Sequence, residues 1–324
     1  MTYRVLSLFS GCGGMDLGLE GGFKFLNRRY TKNKFRVIQA IDNDRRAVAI
    51  YNKNFRNHCS ELDILDAPNN YFKDHDILMG GFPCQSFSIS AQNPKRLGYK
   101  DPRGRLFFEM CRILKAKKPR AFIAENVKGI FTANKGEAFN LIINEFKNSG
   151  YHIVFKLINS SNYGVPQKRE RVFIVGFKYK KDLENFSFPK ATTPDDEIKI
   201  PLKNALEAYN AISENYFFSE KAIKGLKKTK NYKAMNKGRA QDPNKPCNTL
   251  TSHLAKVSLN STDPVLIDRG RYRMFTPREV ARIQSFPERF NLSGNRTWDY
   301  ITLGNAVPPV VMWHIARALD EALS

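Results

Sequence analysis

Cys84 sits in "GGFPCQSFS" (Gly80 to Ser88), directly after a proline and two glycines. Such a thiol could pack in a core, bind a metal, close a disulfide or attack an electrophile. Five cysteines (Cys12, Cys59, Cys84, Cys111, Cys247) are an odd number at irregular spacing, with no CxxC pair and no histidines clustered nearby. That pattern argues against a disulfide framework or a zinc site and leaves packing or nucleophile. Pro83 fixes its own φ and biases Phe82 toward extended geometry, which makes a stiff platform for the next side chain. Glu125 ends the apolar run "RAFIAEN", where an acid is unusual and burial would raise its pKa into proton-donor range. "QKRER" adds Arg169 and Arg171 two residues apart, on one face of a strand. A thiol, a proton-donating carboxyl and two guanidiniums suit attack on an electron-poor ring held by its polar edge.

Elements able to position these groups follow from the hydrophobic pattern. Apolar runs predict strands at 4–9, 35–42, 76–81, 120–126, 152–159 and 171–177, with helical periodicity near 44–54, 105–116 and 136–148. The alternation predicts βαβ units and a mainly parallel sheet with helices on both faces. The chemical residues fall at the strands' carboxyl ends, where such sheets bind ligands. "FSGCGGMDLG" (9–18) is a glycine-rich turn between a strand and a helix, and Asp42 closes the second strand. Asp42 suits either a ribose diol or the cap of the next helix. GxGxxG is absent, so no nicotinamide or flavin is specifically indicated. Near the end, Thr276, Pro277 and Glu279 spell a capping box, and Val311, Ile315, Ala318 and Leu319 mark a final helix after "GNAVPP".

Charge points to the partner. In 324 residues, 53 Lys+Arg stand against 31 Asp+Glu, a net charge of +22. That field attracts polyanions, nucleic acid or an anionic membrane surface. No apolar run suits a membrane span, and the N-terminus reads as a strand rather than a signal peptide, which favours nucleic acid and a cytoplasmic setting. After Gly176 the periodicity dissolves into a linker-like stretch. Residues 221–245 then hold nine Lys/Arg and one acid, Asp242.

Taken in order, "FSGCGGMDLG", "GGFPCQSFS", "ENV", "QKRER", "TPREVARIQSFP" and "GNAVPP" resemble the C5-cytosine DNA methyltransferases of bacterial restriction–modification systems, over nearly the whole chain. The resemblance implies a Rossmann-like S-adenosylmethionine-dependent methyltransferase fold, a mostly parallel twisted sheet with helices on both faces and a smaller target-recognition domain. It implies a catalytic and cofactor-binding domain at 1–190 completed by 299–324, and a recognition domain with hinge at 191–298. S-adenosylmethionine would be the cofactor, held by Phe9, Cys12, Gly14, Asp42, Asn43, Asp63, Ile64, Pro83, Leu106, Asn305 and Ala306, with no metal. The family often carries an aromatic residue where Asn43 stands, so the adenine contact is expected to differ here. Cys84 would attack C6 of a flipped-out cytosine while Glu125 engages N3 and the exocyclic amine. Arg171, assisted by Arg169, would hold the base edge, and Asn126 and Gln85 would support the pocket. Ser88, Arg239, Thr249, Leu250, Arg271 and Arg273 would face double-stranded DNA, Thr249–Leu250 resembling the dipeptide that ends the family's recognition segment. A cognate restriction endonuclease would be a genetic partner.

Three other readings separate on particular residues. A Rossmann-type oxidoreductase explains the glycine loop but leaves "PCQ", "ENV", "QKRER" and the charge without a role. An RNA cytosine methyltransferase shares the ring chemistry, and the variable basic segment at 178–275 argues against it. A non-catalytic DNA-binding relative has no use for an intact Cys84, Glu125 and Arg171.

Overall fold

The computed structural model describes residues 2–56, 58–83, 102–228, 239–255 and 263–324. Seven strands form the central sheet: β1 (Tyr3–Leu8), β2 (Phe35–Asp42), β3 (Cys59–Glu61), β4 (Ile77–Gly80), β5 (Ala121–Val127), β6 (His152–Asn159) and β7 (Glu170–Phe177). Their spatial order is β3-β2-β1-β4-β5-β7-β6. The first five run parallel, while β7 is antiparallel to both β5 and β6. That inversion matters for the site. In a fully parallel sheet the start of β7 would lie at the edge opposite the ligand. Run in reverse, it sets Arg171 against Val127 and Phe173 against Glu125, at the carboxyl end of β5.

Alternation along the strands builds a core on each face. Val5, Met79 and Ile123 point to one side, against α1 (Gly14–Glu20) and the final helix, Pro309–Leu323. Leu6, Leu78 and Phe122 point to the other, against α3 (Pro102–Lys117) and α4 (Glu137–Asn148). The final helix seats Val311, Ile315 and Leu319 at no more than 1% exposure. Each such side chain contributes roughly 1.5–3 kcal/mol of burial as an upper bound. Between α1 and α3 lies α2 (Arg45–Asn54), whose Asp44 cap accepts from the Arg46 amide.

A third core joins Cys12 and Ile50 to Leu202, Cys247, Leu250, Leu266, Phe275 and Leu303. It packs the later chain against the glycine loop. The capping box forms as its spelling predicts, at the start of a short helix, Pro277–Ile283. The basic segment holds a helix at Glu220–Lys228, and no helix of the described residues is long and apolar enough to cross a membrane.

The expectation that Arg273 faces DNA is corrected here. Its side chain is fully buried, with Nε on Asp268 at 2.8 Å and both terminal nitrogens on Glu279 at 2.8 Å. The same Glu279 accepts from the Thr276 and Glu207 amides, so one ion pair ties the capping box to two other segments. Arg273→Ala would leave that carboxylate buried and unpaired. We expect a loss of about 3–5 kcal/mol, read as a lower urea midpoint with unchanged slope. An unchanged midpoint would refute the assignment.

Candidate active site

At the carboxyl edge of the sheet a cavity of about 570 Å³ opens between β1, β2, β4 and β5 on one side and residues 250–252 and 302–307 on the other. Its first wall is the glycine loop. Phe9 turns the chain out of β1 with φ +53, a strained conformation for a side-chain-bearing residue. The chain then enters α1 at Gly14, where a Cβ would fall 2.3 Å from the Val307 carbonyl oxygen. Only glycine lets the loop and the approach to the final helix close together there.

Asp42 resolves between its two readings. Asp44 caps α2, while Asp42 accepts from the Gly11 amide (2.8 Å) and the Asp44 amide (2.8 Å). Those bonds leave acceptor sites of its two oxygens for a ligand diol. Burial raises its pKa, and the amide bonds offset part of that rise. Phe9, Cys12, Gly14, Asn43, Pro83, Asn305 and Ala306 line the same cavity. Asp63, Ile64 and Leu106 lie outside its described lining. Asp63 caps its own 3-10 turn at Leu65, Ile64 is buried in the second core, and Leu106 packs against that core.

The second wall carries the acid–base groups. Glu125 faces Arg171, with Nε 3.0 Å from Oε1 and side-chain exposures of 16% for the arginine and 12% for the acid. Burial raises the carboxyl above the ordinary range, and the charges of Arg171 and Arg169 pull against it without prevailing. Asn126 donates to the Phe82 carbonyl at 3.1 Å and accepts from the Val127 amide, which ties the end of β5 to the segment entering Pro83. Cys84 follows Pro83; Cys84, Gln85 and Ser88 lie outside the described residues.

Arg169 has a different task from Arg171. It is 1% exposed and donates to the Leu250 carbonyl (2.9 Å) and the Gly304 carbonyl (3.0 Å). Gln167, two residues earlier, accepts from the Leu250 amide and donates to Gln284, which donates to the Leu303 carbonyl. Leu250 is therefore held by both its amide and its carbonyl. The reading of its side chain as a DNA contact is corrected, because it is completely buried. Arg239 is corrected too: it is 6% exposed and donates Nε to the Asp263 carbonyl. Thr249 is half-buried and donates to the Lys168 carbonyl, and Arg271 stays at the surface, paired with Glu214 and stacked over Phe217. Gln167 and Gln284 were visible in their motifs, but nothing local marks a glutamine as half of a buried relay.

A glycine loop, a strand-end carboxylate and a sealed carboxyl–guanidinium pair around one cavity on this sheet define a Rossmann-like group-transfer enzyme. Residues 3–321 match the family described as C-5 cytosine-specific DNA methylase, and the chain belongs to that family. It is a DNA cytosine methyltransferase of an S-adenosylmethionine-dependent family. It is 34% identical over 328 residues to the Type II methyltransferase M1.ScrFI of Lactococcus lactis subsp. cremoris, covering 99% of this chain and 79% of that one. To M.FnuDI of Fusobacterium nucleatum it is 33% identical, covering 99% and 95%. Among solved structures, the Entamoeba histolytica methyltransferase EhMeth shares the fold with a TM-score of 0.78 at 20% identity, over 100% of this chain and 99% of that one. The S. pombe Dnmt2 methyltransferase does so with 0.74 at 22% identity, over 98% of each.

Proposed function

We propose that this chain methylates C5 of a cytosine flipped out of a short specific duplex sequence, through a covalent bond between Cys84 and C6, and that it protects host DNA from a cognate restriction endonuclease. The observation that carries this reading is the Glu125–Arg171 pair beside Asn126, which is hydrogen-bonded to Phe82, two residues before Cys84. The cavity's residues fit the family's methyl donor. Asp42 has acceptor capacity for a ribose diol, Phe9, Gly14 and Asn305 line the same cavity, and its volume suits a nucleoside-sized ligand. The donor, when bound, supplies an electrophilic methyl group to C5.

The chain's own residues do the rest. The Cys84 thiolate forms a bond to C6 as the ring's 5,6 electron pair shifts, and Glu125 delivers its proton to N3. Arg171 holds Glu125 in line with the base edge. After C5 is alkylated, loss of its proton to a base restores the double bond, breaks the C6–S bond and frees the thiolate. Glu125 recovers the N3 proton. Residues 191–298 would form the recognition domain and hinge, with Thr249 and Arg271 toward the duplex. The Type II naming of the relatives supports the restriction–modification setting.

Labelled methyl transfer from S-adenosylmethionine tests the reading. Label should enter duplex DNA at sites that map to one short sequence and should not enter transfer RNA. Label in transfer RNA alone, or in DNA without sequence preference, would contradict it.

A further inference from the structure

Two clefts outside the catalytic cavity share a wall. One, of about 580 Å³, lies between α1, α2 and the start of β2; the other, of about 850 Å³, lies along the hairpin of strands Phe23–Phe25 and Arg28–Tyr30. Gly22 and Arg289 line both, and neither cleft shares a lining residue with the catalytic cavity. Lys24 and Arg29 face the second cleft, and Lys32, Arg36 and Arg56 the first. All five are exposed, as is Arg289.

The sequence concentrates this charge: residues 21–41 hold six Lys/Arg and no acid. Among the described residues, Lys24, Arg29, Lys32, Arg36 and Arg56 form no ion pair with a carboxylate, and Arg289 donates to the Gly22 carbonyl at 3.0 Å. Two acids line the clefts and both are engaged. Glu20 accepts from the Val37 amide at 2.8 Å, and Glu288 pairs with Arg282 at 2.6 Å. The joined clefts form a trough whose net charge is strongly positive.

Position decides what fills it. Arg36 is near the amino end of β2 and Asp42 closes its carboxyl end. Six residues of extended strand separate them by about 20 Å. Exposed cations spread over two adjoining clefts, with Glu20 in the field of only Arg36 and Lys32, suit a polymer of phosphates better than one compact anion. We propose that the trough is a second contact for the sugar–phosphate backbone of DNA, gripping a segment distinct from the one that carries the target cytosine. The inference rests on DNA being the substrate. It requires that the trough acts on long DNA and is silent on a duplex just covering the target.

The variant Lys24→Gln, Arg29→Gln, Lys32→Gln, Arg36→Gln tests it on a plasmid and on a duplex of about 14 base pairs bearing the mapped target. On plasmid, the plot of log affinity against log salt should flatten by roughly 0.9 for each phosphate contact removed, and KM should rise about fivefold. On the short duplex, kcat/KM should stay within about twofold of wild type, which also verifies the fold and the target chemistry independently of the trough. An unchanged salt slope on plasmid overturns the proposal. So does an equal loss on both substrates, which would assign these cations to the target-bearing segment. If the quadruple variant fails to fold by circular dichroism, Lys24→Gln/Arg29→Gln and Lys32→Gln/Arg36→Gln carry the same comparison, each with about half the slope change.

Discussion

Cys84→Ala should transfer methyl groups at less than about one thousandth of the wild-type rate and should still bind DNA. The four other cysteines show why no neighbour rescues it. Cys12, Cys59, Cys111 and Cys247 are buried thiols that form no disulfide. Burial pushes the Cys12 and Cys111 thiols up to about 12 and raises those of Cys59 and Cys247 as well. A nucleophile must be a reachable thiolate, and none of these four is one. Cys12 lines the cavity, yet it is 1% exposed, with its sulfur 3.8 Å from the Thr302 carbonyl. Cys84→Ser should behave like the alanine variant, since a hydroxyl of ordinary pKa is far less nucleophilic at neutral pH. Single-turnover methyl transfer, with DNA affinity measured in parallel, makes the check; a wild-type rate in either variant would remove the covalent step.

Glu125→Gln should lower the chemical rate by roughly 10²–10⁴-fold with little change in DNA affinity. The amide can still accept from Arg171 and hydrogen-bond a base edge, but it has no proton to transfer. A pH profile distinguishes this from a loss of packing. Burial holds the Glu125 carboxyl above its ordinary range, so the proton-donating form is present at pH below that raised value and is lost as pH climbs through it. The wild-type rate should therefore fall on the alkaline side, and the glutamine variant should lack that limb. A glutamine variant with the wild-type rate, or with the same alkaline fall, would show that Glu125 is not the donor.

Much of this site was legible in the sequence because local rules governed it. Apolar runs flanked by turns gave the strands, "FSGCGG" could only be a tight loop, and Thr276, Pro277 and Glu279 specified a helix start without reference to the rest of the chain. What escaped was decided at long range. Nothing in "RVFIVGF" states that β7 runs antiparallel, since its apolar pattern is the same in either direction; yet that direction brings Arg171 to Glu125. β3 is three residues long, too short to show alternation. Arg273 and Arg239 read as DNA contacts because an arginine in a basic region is normally at the surface, and Leu250 because Thr249–Leu250 resembles the dipeptide that ends the family's recognition segment. Their burial depends on Asp268 and Glu279, on the Asp263 carbonyl, and on Gln167 with Arg169. Gln167 and Gln284 make the same point: each is an ordinary polar residue until the other is placed opposite it.

The covalent bond proposed from Cys84 to the target ring can be trapped. Duplex DNA carrying 5-fluorocytosine at the mapped target, incubated with S-adenosylmethionine, tests it most directly, because a C5 fluorine leaves no proton to be removed and the bond to C6 then persists. Mass spectrometry of the digested complex should find one cross-linked peptide, modified at Cys84. No stable complex, or an adduct on any other residue, would contradict the account.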